Sequence, residues 1–115
     1  MYIRYQQQKQ TIYILITGEI RNEHNRDLRA TFAKVLERDF RDVIIDLAQV
    51  PFIQTHALGS FVEFIESLLL NSKYICLTMV NDLVYNLFEL VGLDERVWID
   101  RRPRNYSPEN ISGEM

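Results

Sequence analysis

Residues 43–61 read VIIDLAQVPFIQTHALGSF, and the change of pattern inside this stretch decides the fold. Val43-Ile44-Ile45-Asp46-Leu47 is a short apolar run broken by one charge, the pattern of a strand buried on both faces in a parallel sheet. From Thr55 the period changes. Leu58, Phe61, Val62, Ile65, Leu68 and Leu69 recur at intervals of three and four, which predicts an amphipathic helix from near Thr55 to about Leu70. Ser60, Glu63, Glu66 and Ser67 fall on its polar side. Strand, brief turn and helix make half of a β-α-β unit, and in open α/β sheets such turns are where ligands and partners gather.

Working outward, Tyr2–Tyr5 and Thr11–Thr17 read as two strands joined by the polar segment Gln6–Gln10, the second ending at Gly18. Asn22 or Asn25 then caps a first helix carrying Leu28, Phe32, Val35 and Leu36 at helical spacing. Beyond the central unit, Tyr74–Val80 is a strand. Asn81-Asp82 caps a third helix with Val84, Leu87, Phe88 and Val91, which Gly92 stops, and Val97-Trp98-Ile99 closes the sheet. The order β-β-α-β-α-β-α-β with short connections predicts an α/β fold with right-handed crossovers and a mostly parallel or mixed sheet. One domain over residues 1–100 accounts for it. From Arg101 two prolines and an aperiodic polar composition read as a flexible tail, 101–115, with Arg96, Arg101, Arg102 and Arg104 solvated.

Composition excludes several classes of function. A formal net charge of -3 without a basic stripe argues against nucleic-acid binding. No apolar run is long enough to enter a bilayer and the start does not resemble a secretion signal, so direct membrane insertion is not expected and a cytoplasmic location is. The single cysteine, Cys76, sits in an apolar strand and reads as a buried structural thiol. His24 and His56 are the only histidines and lie at no ligand spacing, so neither a metal nor another cofactor is expected.

The turn after residue 53 is the remaining candidate for chemistry. Thr55 and His56 are a hydroxyl and a base side by side, but consecutive helical residues diverge by about 100° and no third group orients the imidazole, so no catalytic role is assigned. Asp46, at a strand end, is expected to accept a hydrogen bond from a loop amide rather than act as a lone acid. Phe64 is expected in the core. Thr55 is expected to cap the helix, and a phosphate on it would lie in the favourable field of the exposed helical amides.

Gly18-Glu19-Ile20, VIIDLAQVPFI at 43–53, LGSF at 58–61 and LFELVGL at 87–93, in this order of elements, together resemble the STAS domain of anti-sigma-factor antagonists and sulfate transporters. The resemblance covers about Ile12 to Ile99. It implies a regulatory protein-binding module without enzymatic activity, acting in the control of transcription through contact with an anti-sigma factor that is itself a serine kinase. It implies no cofactor, and a homodimer remains open. The family's turn commonly reads Asp-Ser-Ser-Gly with phosphate on the second serine; those places are held here by Gln54, Thr55, His56 and Ala57. His56 thus stands where the phosphoserine would be, and Thr55 is the candidate phosphorylation site. The implied contact surface is Gln54, Thr55, His56, Ala57, Gly59, Ser60 and Glu63. The alternative implied by the same resemblance is an adaptor subunit of a lipid-transport or stress-signalling complex that has no phosphoswitch.

Overall fold

The computed structural model describes residues 1–103 and 106. Its strands are β1 (Tyr2–Gln8), β2 (Thr11–Thr17), β3 (Asp42–Gln49), β4 (Tyr74–Val80) and β5 (Trp98–Arg101); its α-helices are α1 (Asn25–Leu36), α2 (Thr55–Leu70) and α3 (Asp82–Leu90). The expected element order holds. The strands form one mixed sheet in the order β1-β2-β3-β4-β5, in which β1 pairs antiparallel with β2 and the other pairs are parallel.

The first strand is longer than its composition predicts, because the glutamines belong to it and only Lys9 and Gln10 turn the chain. Ladder bonds to the apolar β2 override the weak propensity of Gln6–Gln8, and Gln7 is further held by donating to Asp39 O at 2.6 Å and accepting from Arg38 Nε at 2.7 Å. Lys9 takes the left-handed conformation at φ 57°, which the tight turn requires. The last strand starts one residue later and ends two residues later than expected, so Arg101 is a strand residue, bonded to Asp82 at 2.6 Å. Arg102 donates to Ala48 O at 3.1 Å and Arg96 lies 3.3 Å from Glu66, so these three arginines are engaged with the fold. Arg104 and the rest of the expected tail, apart from residues 101–103 and 106, lie outside the described residues.

Parallel strands added one after another in a single direction by right-handed crossovers place their helices on one side of the sheet. Burial agrees: Ile12, Ile14 and Ile16 of β2, Val43, Ile45 and Leu47 of β3, and Ile75 and Leu77 of β4 are in the core. The alternate residues, among them Tyr13, Ile44, Cys76 and Trp98, form a face that no helix covers. The expectation that β3 is buried on both faces is therefore corrected. The apolar run is real, but the connections supply cover for one side only.

On the covered side, Phe32 of α1 stacks on Phe64 of α2 with ring centroids 4.1 Å apart and meets Phe61 edge-on at 5.4 Å. Phe61 in turn lies 5.8 Å from Phe88 of α3, so aromatic contacts join the helices. Phe64 is in the core, as its place beside the apolar stripe suggested. Asn81 caps α3 as expected, accepting from Val84 N at 2.8 Å, and its amide donates to the Val50 and Pro51 carbonyls, fixing the loop after β3. Gly92 adopts the expected left-handed stop at φ 77°.

Truncating Phe61, which has no exposed surface, removes contacts to two helices at once, and Phe61→Ala is expected to cost about 3–5 kcal/mol in urea unfolding. Leu70→Ala, at a residue 85% exposed on the same helix, is expected to change stability by less than about 0.5 kcal/mol.

Candidate functional site

The site grows from two loops that run side by side at the C-terminal end of the sheet. After β2, Gly18 N donates to Gln49 O at 2.8 Å and Ile20 N to Phe52 O at 3.1 Å, and Gln54 N donates back to Ile20 O at 2.8 Å. Ile20 and Ile53 thereby form an isolated parallel bridge with both side chains buried. Gly18, at φ 92°, takes the turn that starts this pairing, a conformation a β-carbon would strain. The loops are thus locked together before α2 begins.

Side chains complete the lock. Gln54 occupies the N-cap position of α2, but its side chain turns away from the helix and accepts from Asn22 N at 2.7 Å. Asn22 reciprocates across the gap, its Oδ1 accepting from His56 N at 3.0 Å. One helical donor of α2 is therefore satisfied by a residue 34 positions away. This corrects two expectations. Thr55 does not cap α2, being its first helical residue, and Asn22 caps no part of α1, whose start is a 3-10 turn over Asn22–His24 that runs into Asn25. The turn is closed by Arg21 N donating to His24 Nδ1 at 3.0 Å. Asn25 does not cap α1 either, because its carboxamide bonds the Ser60 hydroxyl and so ties α1 to α2.

Among the residues expected to meet a partner, Gln54, Thr55, His56, Gly59 and Glu63 are exposed along the start and one side of α2. Glu63 faces Arg29 of α1 at 3.4 Å, both side chains largely in water. An added β-carbon at Gly59 would meet nothing within 4 Å, so its surface is flat and open. Ala57 and Ser60 are corrected. Ala57 is fully buried in the core, and Ser60 is 4% exposed with its hydroxyl occupied by Asn25, because both point down the face that packs on the sheet and α1. They shape the surface from beneath.

The Thr55 hydroxyl has no hydrogen-bond partner among the described residues, whereas its neighbours on both sides are tied to Asn22. Asp46 behaves as expected, accepting from Ala48 N at 2.9 Å. Cys76 is only half-buried, on the helix-free face; loss of hydration there, with the charge of Asp100 adding to it, raises the thiol above its usual range. No cluster of three or more metal-ligating side chains exists among the described residues. None of their helices is long and apolar enough to cross a membrane.

The role of Asn22 was not read from the sequence, where it stands as a helix cap; the offset between two loops 30 residues apart carries no local signal. What pointed to the right neighbourhood was Gly18 at the end of β2.

The sequence matches the model of the STAS domain over residues 2–105. Solved structures share the fold at low identity. A protein of Thermotoga maritima described as an anti-sigma factor antagonist is 18% identical with TM-score 0.77, over 97% of this chain and 92% of that one. The Bacillus cell fate determinant SpoIIAA in its phosphorylated form is 15% identical with TM-score 0.71, over 99% and 100%. A sulfate transporter family protein of Wolinella succinogenes is 21% identical with TM-score 0.67, over 79% and 77%. Among proteins of curated function, none matches.

Asn22→Ala is expected to leave the His56 amide without its partner, the bond from the residue 22 backbone N–H to Gln54 Oε1 being kept, costing about 1 kcal/mol and speeding hydrogen exchange at His56 N. Thr55→Ala removes no bond and is expected to change stability by less than about 0.5 kcal/mol in the same denaturation assay.

Proposed function

The chain belongs to the STAS-domain family, and on that premise we propose that it is a non-enzymatic regulatory module that docks an anti-sigma factor, the kind that is itself a serine kinase, through the start of α2. The observation that carries this reading is the exposed set Gln54, Thr55, His56, Gly59 and Glu63, presented on a rigid support rather than on a free loop. A preorganised surface loses little conformational entropy on binding. Nothing in the set forms a catalytic constellation: Thr55 and His56 are adjacent in the first turn of the helix, and no carboxylate is hydrogen-bonded to the His56 ring among the described residues.

Regulation by phosphate follows from the same geometry. His56 stands where the family's phosphoserine would be, and its backbone amide is already engaged by Asn22. Thr55 is the one hydroxyl at this corner that is both exposed and unbonded among the described residues, so modification of the turn falls on Thr55. A phosphate there adds up to two negative charges beside the first amides of α2 and alters what the surface attracts. A second reading rests on His56 itself: with no serine at that place, the chain acts as an adaptor subunit in a transport or stress-signalling assembly whose contact is constitutive.

Glu63→Lys combined with Gly59→Gln is expected to weaken binding to the cognate anti-sigma factor by at least about tenfold in calorimetry while the chain stays folded, the gain in helix propensity at residue 59 offsetting the lost Arg29 pair. Incubation with that kinase and ATP is expected to give phosphate on Thr55 and none on His56 by mass spectrometry. Copurification with transport or scaffold subunits, with no kinase and no phosphate, selects the adaptor reading.

A further inference from the structure

The helix-free face of the sheet is mixed, but an apolar row crosses it and several aromatic side chains stand in water. In register across the strands, Gln6, Tyr13, Ile44, Cys76 and Trp98 form one continuous row, of which only Gln6 is strongly polar. Trp98 is 73% exposed and Tyr13 38% exposed. The next row runs Arg4, Leu15, Asp46 and Thr78, and Thr78 Oγ1 donates to Asp100 Oδ2 at 3.2 Å. Parallel sheets are normally covered on both faces, and monomers seldom leave such a patch in water.

We infer that this face is an interface for a second copy of the chain, packed sheet to sheet about a two-fold axis running along β3. The face is self-complementary in that one arrangement. Because β3 is the central strand, the axis lays β1 over the partner's β5 and β2 over the partner's β4. Arg4, which has no ion-pair partner among the described residues, then meets the partner's Asp100. Bulky Tyr13 comes over the small partner's Cys76, and Ile44 meets its own equivalent at the axis. The exposed Trp98 lies over the partner's β1 and β2, where this face has a depression of about 340 Å³ between Arg4, Gln6, Tyr13 and Ile44. A two-fold axis perpendicular to the strands through Ile44 keeps only the Ile44 contact: Arg4 then lies over the partner's Gln8, and Tyr13 and Trp98 lie over their own equivalents.

Two features set the strength. Four strands of seven or eight residues and the four-residue β5, about 4.8 Å apart, present a footprint on the order of 500 Å² per partner, at the low end for a specific complex. Asp42 and Asp46 each lie beside their own equivalents at the axis, and that like charge opposes association. A dissociation constant on the order of 10 µM is therefore expected.

The test is sedimentation equilibrium on the full chain over a concentration series spanning that value, with folding of each variant checked by circular dichroism. A monomer–dimer equilibrium is expected, weakened at least about tenfold by Arg4→Glu or Asp100→Arg alone and restored when the two are combined. Asp46→Asn, which keeps the acceptor for Ala48 N, is expected to tighten it. Alkylation of Cys76 should slow as protein concentration rises. A monomer throughout the series overturns the inference, as does a dimer that neither charge reversal nor Trp98→Ala weakens.

Discussion

The parallel bridge between Ile20 and Ile53 is the constraint on which the candidate site depends. Two loops from separate β-α units are hydrogen-bonded backbone to backbone, Gly18 to Gln49, Ile20 to Phe52 and Gln54 to Ile20. With the backbones held, the Gln54 carboxamide reaches the Asn22 main chain and the Asn22 carboxamide reaches the His56 main chain, closing the corner. Each bond alone is worth only about 1 kcal/mol, but because they share a frame the ordering cost is met once for the set. The consequence for function is a helix start whose position is fixed while its side chains stay in water.

That division between a fixed backbone and free side chains explains why four changed residues in the turn leave the fold intact. Ala57 and Ser60 hold α2 from below, Ala57 in the core and Ser60 through Asn25, while Gln54, Thr55 and His56 are exposed above them. Substitution at the exposed places changes the surface with little effect on packing. Gln54 is the exception. Its carboxamide both takes part in the lock and contributes to the surface, so a change there acts on both.

Much of the fold was legible because it is written in periodicity. The switch from the β3 run to the three-and-four spacing of α2, the Asn81 cap and the Gly92 stop are local signals, and each marks its element in the structure. Long-range partners were not legible. Asn22, Asn25 and Thr55 all look like caps, and which of them satisfies which donor depends on how loops from separate β-α units meet. The burial of Ser60 escaped for the same reason: a serine on the polar side of a helix becomes interior once another helix brings it a partner. The β3 run was read as buried on both faces, but only Val43, Ile45 and Leu47 are covered, while Asp42, Ile44 and Asp46 alternate onto the face that the topology leaves without helices.

The most direct measurement is a map of backbone amide shifts in the labelled chain as an unlabelled cognate anti-sigma factor is added. Docking through the start of α2 requires the largest changes at residues 54–56, 59 and 63 and at the Asn22 loop that supports them. Changes confined to the helix-free face of the sheet, or none at saturating partner, would contradict it.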